Sequence, residues 1–320
     1  MTRIAAVDCG TNSIRLLISE YDGHTYTDVV RTMEIVRLGQ GVDATGRLDP
    51  AAIDRTRTAL RGYVDTMLAE DVQAVRMVAT SATRDASNKD DFFTMTAEEL
   101  GRIQPGAQAE VITGDEEATL SFRGAASDLP DARGRICVID LGGGSTEFVV
   151  GTADGEVQGE ISVQMGCVRL TERFMTSDPA TEKEKAMARQ YVQQQLDSVD
   201  QALNFQGLTA IVGCAGTFTT LSALTQGLPT YDPEKIHGSS LLIDDLLSTT
   251  ANVIETPAHV RKQNPVIHEG RADVLGSGSL IVEEICHMAS VMGLDRIEIS
   301  EKDILDGLIM DLSSHIEGAI

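Results

Sequence analysis

The chain has 320 residues, of which 42% are hydrophobic, and its formal net charge is −23 at pH 7. The apolar share is ample for packed cores, which excludes a disordered chain, and the length predicts about two domains. Proteins that read nucleic acid through its phosphates need a basic face, so the acidic balance speaks against a sequence-specific nucleic-acid binder.

The first part of the chain alternates between apolar runs and helically spaced apolar positions. Short apolar runs are typical of buried strands, and recurrence every three or four residues is typical of helices. We predict strands at 3–8, 14–21, 27–37, 74–79 and 108–113, and helices at 50–70, 90–101 and 116–126. Alternating strands and helices indicate an α/β fold.

The same kind of pattern begins again after a polar, proline-containing linker at 128–134. We predict strands at 135–140, 146–151, 156–164, 208–213 and 295–299, and helices at 167–175, 182–204, 216–225, 268–289 and 302–315. We therefore expect two domains, 1–127 and 128–320, with the last helix able to pack back on the first domain.

A short motif occurs once in each predicted domain. Residues 8–13 and 140–145 both run from an aspartate through a glycine-containing turn to a serine, and an apolar strand follows in each. The match predicts two copies of one β-meander that face each other across a cleft. The alternative is a pair of tight hairpin turns that bind nothing.

The composition of these turns suits a phosphate ligand. Glycines allow a close approach of the backbone, and successive N–H groups can point into one concavity. The hydroxyls of Ser13, Ser145 and Thr146 add donors. Asp8 and Asp140, at the ends of apolar strands, could hold a divalent cation that separates them from the phosphate.

Five blocks carry a resemblance to a known family, in the order in which that family has them. They are residues 140–147, 8–13, 79–86, 112–118 and 213–217. With them the chain resembles the exopolyphosphatase / guanosine pentaphosphate phosphohydrolase family, in its short two-domain form. The resemblance implies an α/β fold with two ribonuclease H-like domains of the sugar kinase–actin type and an interdomain cleft.

The resemblance also implies the roles of single residues. Glu117 matches the base that orients or deprotonates the attacking water, and Arg84 matches the arginine that grips phosphate oxygens. Glu147 is a further catalytic candidate. The phosphate-binding candidates are Asn12, Ser13, Arg84, Gly143, Gly144, Ser145 and Thr146. From the residues alone, Glu117 could merely favour the start of a helix, and Arg84 could be a solvated loop residue.

The expected cofactor is Mg²⁺ or another divalent cation, held by Asp8, Asp140 and Glu147. A hairpin could return Glu147 to the side of Asp140. Residues 213–217 form a third glycine turn, whose role stays open between a border of the substrate channel and a simple strand-to-helix turn.

The function expected from these observations is an exopolyphosphatase that releases orthophosphate from inorganic polyphosphate. The alternatives are a guanosine pentaphosphate phosphohydrolase, a kinase of the superfamily, and a non-catalytic polyphosphate or nucleotide sensor. Five widely spaced cysteines without a CxxC pair favour the reducing cytoplasm. We expect no membrane span and allow for a homodimer.

Overall fold

A computed structural model of the chain describes residues 1–129 and 134–317. Its contacts divide the chain into two compact units. Unit 1 is Met1–Leu120 together with the chain from Ile304 onward, and unit 2 is Ser121–Asp303. Residues 130–133 of the predicted linker lie outside the described ranges. The division into folding domains at 127/128 stays a prediction.

The described residues form eleven strands. In chain order β1 to β11 are Thr2–Cys9, Ser13–Tyr21, Tyr26–Ile35, Ala74–Ala79, Glu110–Val111, Arg135–Leu141, Thr146–Thr152, Val157–Val163, Leu208–Cys214, Ser240–Leu242 and Arg296–Ile299.

The described residues also form thirteen α-helices. In chain order α1 to α13 are Val42–Thr45, Pro50–Ala69, Ser81–Asp85, Lys89–Leu100, Gly114–Ala126, Cys167–Arg173, Glu182–Ala202, Ala215–Thr225, Pro233–Ile236, Ile243–Glu255, Ala258–Arg261, Leu275–Val291 and Ile304–Glu317.

Each unit is built on one mixed sheet. The sheet of unit 1 has the strand order β3-β2-β1-β4-β5, and that of unit 2 has the order β10-β11-β9-β6-β7-β8. In both, an antiparallel meander of three strands is joined to parallel strands through the first strand of the meander. The predicted class, α/β with two ribonuclease H-like sheets, is confirmed.

Strand β1 shows why its sequence is almost continuously apolar. Successive side chains of a strand point to opposite faces of the sheet. Ala5 and Val7 belong to the core that includes residues of α2 and α4. Ile4 and Ala6 belong to a second core that includes residues of α13. Both faces of β1 are therefore covered, which removes the polar positions of a one-sided strand.

The structure corrects several predicted elements. Strand 108–113 is reduced to Glu110–Val111, and the helix predicted from 268 begins at Leu275, after a 3₁₀ turn at Glu269–Arg271. Four elements between 226 and 267 had no prediction: α9, β10, α10 and α11. Helix α10 follows Leu242, whose side chain offers no cap, so the usual start signal is missing.

Among the described residues, no helix combines the length and the apolarity that a membrane span requires.

Candidate active site

The glycine turn of unit 2 joins β6 to β7. It is closed by a hydrogen bond of 3.1 Å from the Gly142 N–H to the Ser145 carbonyl. Thr146, the first residue of β7, is fully buried and donates its hydroxyl to the Met165 carbonyl. Thr146 therefore fixes the end of the turn and is not presented to solvent.

The start of α6 holds the carbonyl groups of this turn. Cys167 N donates to Gly142 O over 3.1 Å, and the N–H groups of Val168 and Arg169 donate to Gly143 O over 2.9 and 3.1 Å. The Arg169 side chain, only 9% exposed, donates Nε to Gly144 O over 2.7 Å.

With the carbonyls held on one side, the peptide N–H groups of the turn face the other way. In the part of the chain that the structure describes, the N–H groups of Gly143, Gly144 and Ser145 donate to no protein acceptor. Three adjacent donors on a short turn form a concavity that suits an anion.

Gly166 makes this arrangement possible. A Cβ atom at residue 166 would overlap the backbone of Gly143 and Gly144. The close approach of α6 to the turn therefore requires glycine at this position.

The turn of unit 1, between β1 and β2, is built in the same way. Gly10 N donates to Ser13 O over 3.0 Å. The segment after β3 holds the carbonyls: Gly39 N donates to Thr11 O over 2.8 Å, and Arg37 N donates to Asn12 O over 2.8 Å. A Cβ atom at Gly39 would overlap the Thr11 side chain. In each unit, a glycine from another segment therefore packs closely against the turn.

The strands that enter the two turns differ in charge at one matched position. In unit 1, Asp8 lies opposite Arg15 in the β1–β2 register, and Asp8 Oδ2 accepts from Arg15 Nε at 3.0 Å and Nη2 at 2.7 Å. In unit 2, Asp140 lies opposite Glu147 in the β6–β7 register. Directly opposed residues of an antiparallel pair point to the same face.

Asp140 and Glu147 are thus two buried carboxylates on neighbouring strands, 7% and 1% exposed. Ser121 Oγ donates to Asp140 Oδ2 over 2.6 Å, and Ser162 Oγ donates to Glu147 Oε1 over 2.7 Å. Carboxylate oxygens are hard ligands that suit Mg²⁺, so these two residues could take part in a metal site.

The structure brings Arg84 and Glu117 together within unit 1. Arg84 Nη1 donates to Glu117 Oε2 and to the Ile112 carbonyl, each over 3.1 Å. Glu117 is 8% exposed. Within the described residues, Nε and Nη2 of Arg84 donate to no protein atom, so one edge of the guanidinium stays available for a ligand.

The neighbouring glutamate has a different environment. Glu116 is exposed and pairs with Arg76 over 2.9 Å. Arg76 also pairs with Asp311 of α13 over 2.7 Å, so Glu116 belongs to a surface ion-pair network. The local sequence therefore places two adjacent glutamates on different sides of α5.

The third glycine turn joins β9 to α8 in unit 2. Ala215 has φ +64°, a left-handed conformation that is rare for a residue with a side chain. The Arg271 guanidinium covers Gly216, so a Cβ atom there would overlap it. Burial raises the pKa of the nearby Cys167 thiol, although Arg271 acts in the opposite direction.

One further group of potential metal ligands exists among the residues that the structure describes: Glu283, Glu284 and His287 on α12. Arg189 donates to Glu283 over 3.0 Å and lies 3.8 Å from Glu284. Because the positively charged Arg189 side chain already pairs with these glutamates, we assign no metal to the cluster.

The sequence did not single out the groups that hold these candidates in place. Ser121, Ser162, Gly39 and Gly166 contact the candidate residues from other elements. The one local signal is Gly166, a glycine directly before a predicted helix. The catalytic, phosphate-binding and metal roles of the candidate residues themselves stay predictions.

Comparison with known proteins decides the family. Residues 17–315 match the Ppx/GppA phosphatase family. The chain belongs to this family. It is 48% identical to Exopolyphosphatase 2 of Mycobacterium tuberculosis over 319 residues, which cover 98% of this chain and 99% of that protein.

Solved structures of the family agree in fold over nearly the whole chain. A crystal structure of an exopolyphosphatase-like protein is 35% identical, with a TM-score of 0.90, and the match covers 98% of this chain and 100% of that one. The Ppx/GppA protein of Aquifex aeolicus is 30% identical, with a TM-score of 0.80 and a coverage of 98% for both chains.

Proposed function

We propose that this protein is an exopolyphosphatase, which uses water to cleave the terminal phosphoanhydride bond of inorganic polyphosphate and releases orthophosphate. The observation that carries the proposal is the unit 2 turn, whose N–H groups at Gly143, Gly144 and Ser145 are presented together beside the buried Asp140 and Glu147. The 48% identity to a protein named Exopolyphosphatase 2 supports the same substrate.

Phosphate oxygens of the substrate would be bound by peptide N–H groups. In unit 2 the donors are the N–H groups of Gly143, Gly144 and Ser145, and in unit 1 Asn12 and Ser13 lie at the matching turn. Donors fixed in place by their own backbone hydrogen bonds need no reorganisation when charge develops on a phosphoryl group.

Glu117 would orient the attacking water and accept its proton. The carboxylate of a glutamate can act as a base, and the ion pair with Arg84 holds that of Glu117 in one place. The second edge of the Arg84 guanidinium would bind a phosphoryl oxygen, because the planar fork of arginine matches phosphate geometry.

Asp140 and Glu147 would hold Mg²⁺, and Glu147 is also a catalytic candidate. Their opposed register, burial and oxygen ligands fit a hard divalent cation. When bound, Mg²⁺ supplies positive charge that offsets the phosphoryl oxygens. Asp8 already pairs with Arg15 over 2.7 Å, so the metal proposal rests on the Asp140–Glu147 pair.

A phosphate-release assay with three substrates tests the function. We expect orthophosphate from polyphosphate at a higher kcat/KM than from guanosine pentaphosphate or ATP. Faster release from guanosine pentaphosphate would favour the alternative hydrolase, and transfer of phosphate to an added acceptor would favour a kinase. No release of orthophosphate from any of the three substrates would favour a non-catalytic sensor.

Variants of two adjacent glutamates test the mechanism. We expect Glu117→Gln to lower kcat by about 10²–10⁴-fold, the usual contribution of general acid–base catalysis. Glu116→Gln is the matched control, because Glu116 lies on the same helix but pairs with Arg76 at the surface. Full activity of Glu117→Gln would overturn the assignment of the base.

We further propose that the protein works in the cytoplasm. All five cysteines are free thiols in the structure, which suits a reducing compartment. A homodimer stays a proposal as well, and light scattering of the purified protein tests it.

A further inference from the structure

Two serines outside the glycine turn each donate to one carboxylate of the opposed Asp140–Glu147 pair. Ser121 belongs to α5 and donates to Asp140 Oδ2 over 2.6 Å. Ser162 belongs to β8 and donates to Glu147 Oε1 over 2.7 Å. The two carboxylates are therefore oriented from two different elements.

Ser121 is unusual for a serine inside a helix. It is fully buried, and such serines commonly donate their hydroxyl to the carbonyl one turn earlier in the same helix. Ser121 instead directs its hydroxyl to a strand residue. Ser121 also lies four residues after Glu117 in α5, so one face of that helix carries both residues.

We propose that Ser121 is a positioning residue that orients Asp140 for a divalent cation, with Ser162 acting in the same way on Glu147. This inference rests on the proposed function, which places the cation at this pair. Ser121 touches neither substrate nor metal in this role and acts through the carboxylate.

The physical reason lies in the freedom of a carboxylate. The terminal group of an aspartate can rotate over a broad range, and each orientation places its oxygens differently. A hydroxyl that holds one oxygen fixes the plane of the group before the cation arrives. Loss of such an outer partner typically weakens metal affinity about 10–100-fold.

Mn²⁺ is the probe, because its electron paramagnetic resonance signal reports binding without substrate or turnover. We expect Ser121→Ala to raise the dissociation constant of the full chain for Mn²⁺ by about 10–100-fold, as loss of an outer partner does. Ser121→Thr keeps the hydroxyl and should bind more tightly than Ser121→Ala. Ser127→Ala, at an exposed position directly after the end of that helix, should bind like the unchanged protein.

Circular dichroism keeps the test interpretable if Ser121→Ala is less stable. A folded Ser121→Ala that binds Mn²⁺ as tightly as the unchanged chain would overturn the inference. If Ser121→Ala does not fold, Ser162→Ala, at a partly buried position, takes its place with the same expected direction. An unchanged Mn²⁺ affinity there would overturn the inference as well.

The inference and the proposed function can fail separately. A chain that releases no phosphate from polyphosphate but loses Mn²⁺ affinity on Ser121→Ala would overturn the function and support the positioning role. A chain that hydrolyses polyphosphate with the same Mg²⁺ dependence in both forms would overturn the positioning role alone. Absence of Mn²⁺ binding to the unchanged chain would overturn the inference whatever the activity.

Discussion

The two glycine turns share a backbone design and differ in the charge beside them. Both are closed by one N–H to carbonyl bond, of 3.0 Å in unit 1 and 3.1 Å in unit 2, and each has a glycine packed behind it. Beside the unit 1 turn an arginine neutralises the aspartate, whereas beside the unit 2 turn a glutamate opposes it.

This difference shows that one repeated hairpin can carry opposite charges at a matched position. The Asp8–Arg15 pair joins opposite charges within unit 1 over 2.7 Å. The Asp140–Glu147 pair places two buried carboxylates opposite each other, and we propose that a divalent cation binds there. Four experiments test whether the two turns differ in this way.

The largest effect is expected at Asp140, and the matched Asp8 is its control. Asp140→Asn should lower kcat for polyphosphate by about 10²–10³-fold, the range seen when one charge-stabilising group is lost, and should raise the Mg²⁺ concentration required for half-maximal rate. Asp8→Asn should leave that Mg²⁺ concentration unchanged, because Asp8 pairs with Arg15. Rates measured across a Mg²⁺ titration decide this, and equal shifts in both variants would contradict the comparison.

The glycines behind the turns should differ in their tolerance of alanine. At Gly166 the added Cβ meets backbone, which cannot move aside, so Gly166→Ala should lower kcat/KM by about 100-fold through displaced donors. At Gly39 it meets mainly the Thr11 side chain, so Gly39→Ala should have a smaller effect.

Adding Thr11→Ser to Gly39→Ala removes the overlapping methyl group and should recover part of the activity. Kinetics of the three variants with polyphosphate check the order. A Gly39→Ala defect as large as that of Gly166→Ala would show that the two turns are equally constrained.

Removing one charge from each pair should have different effects on stability. Arg15→Met removes the ion pair with the buried Asp8 and should lower the free energy of unfolding by about 2 kcal/mol, with or without Mg²⁺. Glu147→Gln removes a proposed metal ligand and should reduce the gain in unfolding free energy that Mg²⁺ gives to the unchanged chain. Urea unfolding with Mg²⁺ and in chelator measures both, and an unchanged gain from Mg²⁺ in Glu147→Gln would contradict the comparison.

The smallest effect concerns alkaline pH. Cys9 precedes the unit 1 turn where unit 2 has Leu141, and burial, aided by Asp8, raises the pKa of the Cys9 thiol well above 9.0. Its stabilising contribution is therefore complete below pH 9 and falls as the unfolded thiol ionises above it.

Cys9→Val should remove this dependence. Between pH 8 and pH 10, the unfolding free energy of the unchanged chain should fall by about 1 kcal/mol more than that of the variant. The reason is that the unfolded chain loses one thiol proton in this range, whereas the folded chain keeps it. Urea unfolding at the two pH values checks this. Equal losses would show that Cys9 does not titrate on unfolding.

The sequence was sufficient for the features that are local in the chain. The paired hairpins, the alternation of strands and helices, and the two-sheet fold follow from apolar spacing and from the repeated aspartate, glycine and serine. The register that opposes Asp140 and Glu147 follows from the short turn between them, because a tight turn fixes the pairing of its strands.

The rest depends on contacts between distant parts of the chain. Gly166 and Ser121 contact residues in other elements. Their distance along the sequence from those residues follows no helix or strand periodicity, so the sequence pattern cannot indicate these contacts. Helix α10 lacks a capping side chain, so packing of its apolar face has to form it. The early start predicted for α12 ignored the 3₁₀ turn that precedes it.

Helix α13 has a consequence for the order in which the protein matures. Its residues Ile304, Leu305, Leu308 and Ile309 complete one face of the unit 1 sheet. On the ribosome, this helix emerges after all of unit 2 has been synthesised. The side of β1 that packs against α13 therefore lacks this helix during most of translation. The sheet that is synthesised first is the last to complete its packing.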